Sequence, residues 1–397
     1  MATRPVSSYH PMIAAQPRYC CVNTQRLGQI FHRISLELYR PLHWSSHAAS
    51  AFIIPLDRVG AGSHYNCSNK LAEVAKRTVR LATTILLAPV TLVTALAGGV
   101  IQVAGNAISP HPYYYIKGEA NAPREEREIS LMTLNTCMFW GSLPMLFGGV
   151  SPAVQRVKLI AELIKRINPT VFVGQEVSFR AGLALAKELK HTYTHIFLNI
   201  APNPLRLESC LFLAMRGNLA AIPYFKAFPN QNGIRRGWFC CTTERFTVMT
   251  THLTPGKEQP SQQMRHTQRV RISHDVGHHL RQSSKPLFLL GDLNDAPKQI
   301  PVEFISKLFW DEYDETRLDD NATCTNELTS WMRGKKNIQA DRYESIDYAL
   351  VTKSSLSSPS ASVSHIKIQK VETFDLEYPE KALSDHHGLL LTATLNS

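Results

Sequence analysis

The sequence predicts a layered α/β globular part that follows a basic, partly hydrophobic N-terminal extension. From residue 129 onward, short apolar runs of strand length alternate with a helical pattern. Polar side chains directly follow several of these runs, as expected where strands end at a site. An uncharged stretch, residues 81–101, lies well before this region. We therefore divide the chain into an extension, residues 1–126, and a globular part, residues 127–397.

The extension contains a segment that predicts membrane association. Residues 81–101 include no charged side chain, and a membrane span needs about 20 such residues. Lys76, Arg77 and Arg80 immediately precede the segment, where they would face an anionic membrane surface. Pro89 leaves a re-entrant turn as an alternative to a single span, and a buried helix of a soluble domain is a third. We expect a membrane-associated protein, with the side of the membrane left open.

Charge and cysteine content limit the classes of partner and cofactor. The net charge of +11 favours an acidic partner, either nucleic acid or an anionic membrane. Residues 1–126 hold 12 of the 43 Lys and Arg but only 6 of the 32 Asp and Glu, so the extension is more densely basic than the rest. The eight cysteines form no CxxC pair, which argues against a zinc site. Cys20 and Cys21 are either acylated or ordinary thiols.

The globular part begins with a predicted strand–helix–strand unit. A strand over 129–134 ends at Asn135, a helix over 152–167 stops at Asn168-Pro169, and a second strand over 171–174 is followed by Glu176. A right-handed crossover places both strand ends at one edge of a sheet, so Asn135 and Glu176 meet there. A linker over 109–128 precedes this unit. Further strands are predicted at 211–215, 238–242, 246–251, 287–290, 345–351 and 388–395, and a helix at 260–282.

The polar residues at these strand ends are suited to metal-assisted hydrolysis of a phosphoester. Glu176 is a suitable main ligand for Mg²⁺, a hard cation that prefers oxygen, with Asn135 beside it. His386 is suited to act as general base, because an unperturbed histidine titrates at roughly pH 6.5. Asp347 is placed to orient that histidine from a neighbouring strand, and Asp385 directly precedes it.

Three further residues complete the pattern. Asp292 and Asn294 follow an apolar run and are two residues apart, so we expect them to share a face and to position water and phosphate. His252 follows the predicted strand over 246–251 and can donate to a phosphate oxygen. Each motif alone has a structural explanation, such as an Asx turn for Asp292 to Asn294. The ordered set over about 250 residues is far more specific.

With this ordered set of motifs, residues 129–396 resemble the endonuclease/exonuclease/phosphatase superfamily. The resemblance implies a four-layer α/β sandwich, in which two packed, mainly antiparallel sheets are flanked by helices. It also implies hydrolysis that depends on Mg²⁺, with Mn²⁺ as the alternative ion. By this pattern Glu176 and Asn135 bind the metal. The catalytic residues are His386, His252, Asp292, Asn294, Asp347 and Asp385.

Within the superfamily, several stretches are similar to neutral sphingomyelinases. The similarity includes residues 139–144, Arg156, residues 208–214 and the ending at 384–389. An apolar loop over 138–147 suits a lipid substrate, as does the uncharged stretch in the extension. We therefore expect a membrane-associated, sphingomyelinase-like phospholipid phosphodiesterase. A DNA endonuclease and a catalytically inactive membrane interaction protein remain the alternatives, and the oligomeric state is open.

Overall fold

A computed structural model describes thirteen segments of the chain. They are residues 19–50, 67–109, 111–120, 127–138, 153–202, 209–229, 235–295, 309–310, 324–325, 343–344, 346–352, 363–374 and 382–396. The predicted apolar loop lies outside these segments from residue 139 onward, as does Ser345 in the predicted strand over 345–351. The segments contain the helices α1 (Tyr19–Leu38), α2 (Arg40–Ser50), α3 (Cys67–Leu86), α4 (Ala88–Ile108), α5 (Ala153–Ile167), α6 (Phe179–Leu189) and α7 (Gln259–Gln282).

The described strands form two large sheets and one short pair. In chain order they are β1 (Tyr114–Lys117), β2 (Glu128–Met138), β3 (Val171–Val177), β4 (His195–Leu198), β5 (Phe212–Met215), β6 (Tyr224–Ala227), β7 (Gly237–Thr242), β8 (Thr247–His252), β9 (Leu287–Asp292), β10 (Phe309–Trp310), β11 (Cys324–Thr325), β12 (Tyr343–Glu344), β13 (Asp347–Thr352), β14 (Val363–Val371) and β15 (Gly388–Leu395). The first sheet has the order β1-β4-β5-β3-β2-β15-β14, and the second β10-β13-β9-β8-β7-β6. Strands β11 and β12 pair separately.

The two large sheets pack face to face and carry helices on their outer faces. Alternate residues of each strand fill the space between the sheets, including Val173 and Leu213 from the first and Val248 and Leu290 from the second. The other face of the first sheet packs against α5 and α6, and that of the second against α7. Burying one such side chain contributes about 1.5–3 kcal/mol. This arrangement confirms the predicted four-layer α/β sandwich.

Each large sheet contains one parallel strand pair joined by a helix. In the first sheet, β2 runs parallel to β3 with α5 as the crossover, as the sequence predicts, and Asn135 lies opposite Gln175. In the second sheet, β8 runs parallel to β9 with α7 as the crossover, and His252 lies opposite Asp292. Strand β13 pairs antiparallel to β9 and brings Asp347 opposite Asp292 as well.

The structure of the N-terminal helices bears on the re-entrant turn that the sequence left open at Pro89. The uncharged stretch 81–101 is divided between the end of α3 and the start of α4. The chain does not reverse at Pro89, because helical hydrogen bonds continue across the junction: the Leu87 N–H donates to the Thr83 carbonyl, and Leu87 accepts from Thr91. Pro89 lies in the first turn of α4, where its missing N–H costs least. Among the described residues, one helix, Ala88–Ile108, is long and apolar enough to cross a membrane, a test that core helices of soluble proteins also pass.

The predicted linker over 109–128 contains a strand. Residues Tyr114 to Lys117 form β1, which pairs antiparallel with β4 at the edge of the first sheet. Helix α1 packs on this strand, since Gln25 Nε2 donates to the Tyr113 carbonyl (2.9 Å) and Gln29 Nε2 to the Tyr115 carbonyl (3.1 Å). The first sheet therefore includes a strand, β1, that lies before residue 127, the predicted start of the globular part.

Candidate active site

The ends of strands from both sheets meet at one edge of the sandwich. Asn135, on β2, donates from Nδ2 to Asp292 Oδ2 at the end of β9, over 3.1 Å. His252, at the end of β8, places its Nε2 3.5 Å from the same carboxylate oxygen. All three side chains are buried. The Asn135–Asp292 hydrogen bond thus links the two sheets at the predicted site.

A histidine–carboxylate pair lies beside Asp292. His386 Nδ1 is 2.8 Å from Asp347 Oδ2, and both residues are buried. The preceding turn is fixed by Ser384, whose hydroxyl donates to the Asn135 carbonyl (2.5 Å) and accepts from the His386 N–H (3.2 Å). The structure therefore brings together the predicted base and the residue predicted to orient it.

Burial raises the pKa of the carboxyl groups at this edge. The pKa of Glu176 is raised to about 7, first by burial and then by the charge of Asp385, against the opposing effects of His386 and a hydrogen bond from Asn135. The pKa of Asp292 is also raised to about 7, by burial and then by Asp347. Burial likewise raises the pKa of Asp385. An additional positive charge would stabilise all three carboxylates.

This donor set fits a hard divalent cation. Glu176 and Asn135, the predicted ligands, are joined by a hydrogen bond and offer carboxylate and amide oxygens. The backbone of Glu176 has a φ of 58°, a left-handed conformation that is strained for glutamate and typical of functional sites. Asp292, Asp347 and His386 also place one potential ligand atom each within 4.8 Å of one another. In that second group, His386 Nδ1 is already hydrogen-bonded to Asp347.

Two predicted residues lie differently from expectation. Asn294 does not share a face with Asp292, because β9 ends at Asp292 and Asn294 adopts a φ of 54°. Its N–H donates to Asp292 Oδ1 (2.8 Å) and its Nδ2 to the Leu253 carbonyl (3.1 Å), so it closes an Asx turn. The carboxylate of Asp385 hydrogen-bonds Cys137 and raises the pKa of Glu176, whereas the His386 ring forms its hydrogen bond with Asp347.

His252 is held as a neutral imidazole. Burial lowers its pKa well below 6.5, and the positive charges of Arg236 and His386 act in the same direction. A neutral ring carries one N–H donor and one acceptor. Near neutral pH, His252 can therefore donate one hydrogen bond without adding a charge to the site.

Two buried arginines support the site, although the sequence assigned a role to neither and singled out Arg156 only within the similarity to neutral sphingomyelinases. Arg236 Nη1 donates to the carbonyls of His252 (3.0 Å) and Leu253 (2.6 Å), and its charge acts on both Glu176 and Asp292. The sequence signal for Arg236 was its position just before the apolar run of β7, but an arginine at that position is equally typical of a strand end exposed to solvent.

Arg156 fixes the other side of the site. From α5 it donates to the carbonyls of Thr136 (2.7 Å) and Cys137 (2.6 Å), and also to that of Leu383. These contacts tie the end of β2 to the turn that carries Asp385 and His386. Its place on the inner face of α5, among apolar residues at helical spacing, gave no sign of a charged contact.

Comparisons with known proteins agree with this geometry. The sequence model of the Endonuclease/Exonuclease/phosphatase family matches residues 132–386. No curated protein matches the chain in sequence. Among solved structures, D. rerio TDP2 complexed with a single-strand DNA product is 15% identical, with a TM-score of 0.50 over 68% of this chain and 100% of that chain. This likeness supports the fold.

Two other solved structures are similar at lower scores. Sphingomyelinase C from Streptomyces griseocarneus is 13% identical, with a TM-score of 0.47 over 68% of this chain and 99% of that chain. A beta toxin variant from Staphylococcus aureus with bound magnesium ions is 14% identical, with a TM-score of 0.47 over 68% and 100% of the two chains. The family match covers well over half of the chain and all the strand ends of the site. The chain belongs to the Endonuclease/Exonuclease/phosphatase family.

Proposed function

We propose that this protein is a metal-dependent phosphodiesterase that hydrolyses a phospholipid at a membrane surface, in the manner of a sphingomyelinase. The observation that carries the proposal is the hydrogen-bonded pair His386–Asp347 beside Asp292, at the same strand edge as Glu176 and Asn135. A base, its orienting carboxylate and a cation-binding set are thereby combined in one buried site.

Glu176 and Asn135 would hold the cation, Mg²⁺ or Mn²⁺, which would neutralise charge on the phosphate. Asp347 accepts a hydrogen bond from His386 Nδ1, which leaves Nε2 with its lone pair. That nitrogen removes a proton from water as the water oxygen bonds to phosphorus and the bond from phosphorus to the leaving alcohol breaks. Asp292 is held by Asn135 and the Asn294 N–H, and so can orient the water.

The remaining residues act on the charge of the phosphate. His252 donates a hydrogen bond as a neutral group to an equatorial oxygen, where negative charge develops during the reaction. Asn294 restrains the turn after β9, and its contact with the Leu253 carbonyl links that turn to the end of β8. Asp385, on the side of Glu176, adds negative charge where the cation binds.

A membrane lipid is the favoured substrate because the N-terminal helices expose apolar side chains. Leu96 and Val100 of α4 are 63% and 70% exposed, and Leu86 of α3 is 78% exposed. DNA is the second candidate substrate. It is favoured by the net charge of +11 and by the fold shared with D. rerio TDP2, which was solved with a single-strand DNA product.

The decisive experiment offers the purified protein sphingomyelin vesicles, plain DNA and abasic DNA, each with Mg²⁺ or with a chelator. We expect phosphocholine release that requires Mg²⁺. DNA nicking without lipid hydrolysis would assign nucleic acid, and not a phospholipid, as the substrate. The absence of any hydrolysis would favour the catalytically inactive interaction protein.

Two variants test the roles of the residues. Glu176→Gln and His386→Gln should each reduce turnover by about 10²-fold or more, the scale of a lost catalytic group. His274→Gln, an exposed histidine on α7, is the matched control and should retain full activity. Turnover by the His386 variant at the level of this control would exclude the assigned base.

A further inference from the structure

The N-terminal helices present a continuous apolar surface that no described residue covers. The side of α4 that faces away from α1 consists of apolar residues, of which Leu92, Val93, Leu96, Val100 and Val103 are each more than half exposed. On the preceding helix, Val79, Ile85 and Leu86 are similarly exposed. A contiguous surface of this kind indicates a binding face rather than scattered surface residues.

The opposite side of α4 is covered by α1, which runs antiparallel to it. The buried residues of α4 are Thr91, Gly98 and Gly105, spaced seven apart. A side chain at Gly105 would lie 2.7 Å from the His32 ring, so the helices approach closely because these positions are small. His32 Nε2 also lies 2.9 Å from Asn106 Oδ1. Helix α1 is thus a fixed partner of α4.

Helix α1 divides the unit into an apolar flank and a charged flank. Leu27, Ile30 and Ile34 are 45–53% exposed and lie on one flank. Arg33 and Glu37 are also exposed, but they lie on the other flank with Arg26. If α4 crossed a bilayer with α1 attached, the charged flank would enter the hydrocarbon core, which is strongly unfavourable.

The start of α1 and the end of α4 lie together at the globular part of the chain. Gln25 Oε1, near the start of α1, accepts from the Ser109 hydroxyl (2.9 Å), which follows the end of α4. Asn106 Nδ2 donates to the Pro202 carbonyl (3.2 Å), in the loop after β4. The start of α1 and the end of α4 are therefore on the same side of the unit as the sheet.

Basic residues border the apolar surface. Lys76 and Arg80 on α3 are exposed beside Val79 and Leu81, and the extension as a whole holds twice as many basic as acidic residues. An apolar face bordered by cations is complementary to an anionic bilayer, in which headgroup phosphates lie just above the acyl chains.

We propose that the apolar faces of α3 and α4 and the apolar flank of α1 insert into one leaflet of an anionic phospholipid bilayer without crossing it. The charged flank of α1 stays in water, and the contacts of Gln25, Gln29 and Asn106 hold the catalytic sheet at a fixed orientation to the membrane. The proposal extends beyond the proposed reaction, since membrane insertion of this kind requires no hydrolysis.

The first test is vesicle flotation of the full-length protein in the presence of a chelator, so that binding is measured without turnover. We expect flotation with phosphatidylserine vesicles and at least a tenfold weaker association with phosphatidylcholine vesicles. Leu96→Gln combined with Val100→Gln should abolish it, whereas Leu159→Gln, an equally apolar exposed residue on α5 (48% exposed), should not change it. Retained flotation of the double variant would overturn the assigned surface.

The second test separates insertion in one leaflet from crossing and from self-association. A photo-crosslinking amino acid is placed at Leu96 or at Glu37 in vesicle-bound protein; the Glu37 side chain is 71% exposed on the charged flank. The proposal expects lipid adducts from Leu96 and none from Glu37. Lipid adducts from both positions would mean that the pair crosses the bilayer, and adducts of Leu96 to a second copy of the chain would assign the surface to a dimer; either result overturns the proposal. Because neither test uses catalysis, a failure here is distinguishable from a failure of the proposed function.

Discussion

Arg236 provides the sharpest test of the site, because its role follows only from the folded structure. Its guanidinium donates to the His252 and Leu253 carbonyls, and its charge adds to the larger effects of His386 and the Asn135 hydrogen bond that lower the pKa of Glu176 against the effect of burial. Replacement by methionine keeps the apolar stem and removes the charge and both hydrogen bonds. Two effects are therefore expected, one on stability and one on the ionisation of Glu176.

The stability effect follows from the two carbonyl partners. After the substitution, the Leu253 carbonyl would keep its hydrogen bond from Asn294, whereas the His252 carbonyl would lose the one from Arg236. A hydrogen bond from a charged donor contributes about 1.5–3 kcal/mol, so Arg236→Met should lower the free energy of unfolding by about 2–4 kcal/mol. Urea unfolding monitored by circular dichroism measures this loss.

The ionisation effect appears in the pH dependence of turnover. The pKa of Glu176 is about 7 with Arg236 present, and loss of the positive charge raises it further. A carboxyl group binds a cation as its anion, so the acidic limb of the rate profile should move to higher pH by up to about one unit, which corresponds to about 1.4 kcal/mol. Hydrolysis of a small soluble phosphodiester at subsaturating Mg²⁺ is the assay, because saturating Mg²⁺ would displace the proton from Glu176, and activity at pH 7 should fall by up to about fivefold.

Two variants control this experiment. Arg236→Lys retains the charge but not the forked donor, and should recover most of the pH profile and less of the stability. Arg245→Met removes a partly buried arginine whose Nη2 reaches the Leu395 carbonyl, away from the site, and should leave the profile unchanged. An Arg236→Met enzyme with the wild-type pH profile would refute the electrostatic role.

Three further predictions concern other parts of the domain. Asp347→Asn should lower kcat by about 10²–10⁴-fold with little change in KM, measured in the same assay, because His386 loses the carboxylate that orients it; an equal rise in KM would argue against this role. Burial lowers the pKa of His387 to about 4, so its imidazole stays neutral in the folded protein, whereas in the unfolded chain it takes up a proton below about pH 6.5. The contribution of this side chain to stability is therefore complete above pH 6.5 and declines by about 3 kcal/mol as the pH falls to 4, so the free energy of unfolding, measured relative to that of His387→Gln in urea titrations, should fall by that amount. Gly291→Ala should destabilise the domain by more than about 3 kcal/mol in the same titrations, since its φ is +149° and a Cβ would lie 2.0 Å from the Thr251 carbonyl oxygen, whereas Gly277→Ala in α7 should stabilise it by about 0.5–1 kcal/mol.

The sequence predicted those parts of the site that depend on local pattern and on one topological rule. Asn135 and Glu176 each follow an apolar run, and the helix between the runs required a parallel pair, so their meeting could be predicted. Arg236 could not be assigned, because only the antiparallel register of β7 and β8 returns it to Leu253, seventeen residues later. Nothing in local composition specifies such a register.

One other expectation failed because a pattern was continued past the end of an element. Alternation placed Asn294 on the face of Asp292, but the strand ends at Asp292 and the Asx turn rotates the next residues. The uncharged stretch over 81–101 left open a re-entrant turn at Pro89, whereas the structure has this proline in the first turn of α4. The absence of charged side chains indicates that a stretch can lie in lipid, but it does not indicate where a helix begins.

The two parallel strand pairs explain why this fold places the site between its sheets. A parallel pair joined by a helix ends with both strands at one edge, and here each sheet supplies one such pair, β2–β3 and β8–β9. The proposed cation ligands, Glu176 and Asn135, come from the first pair, and His252 and Asp292 come from the second. Among the described residues, two side-chain hydrogen bonds join these strand pairs directly: Asn135 donates to Asp292 (3.1 Å), and Gln175 donates to the Thr250 hydroxyl (3.5 Å). In the proposed reaction, the relative position of the cation and the attacking water would therefore depend on how the sheets pack, so substitutions in the apolar layer between them should change turnover even where they contact none of the predicted site residues.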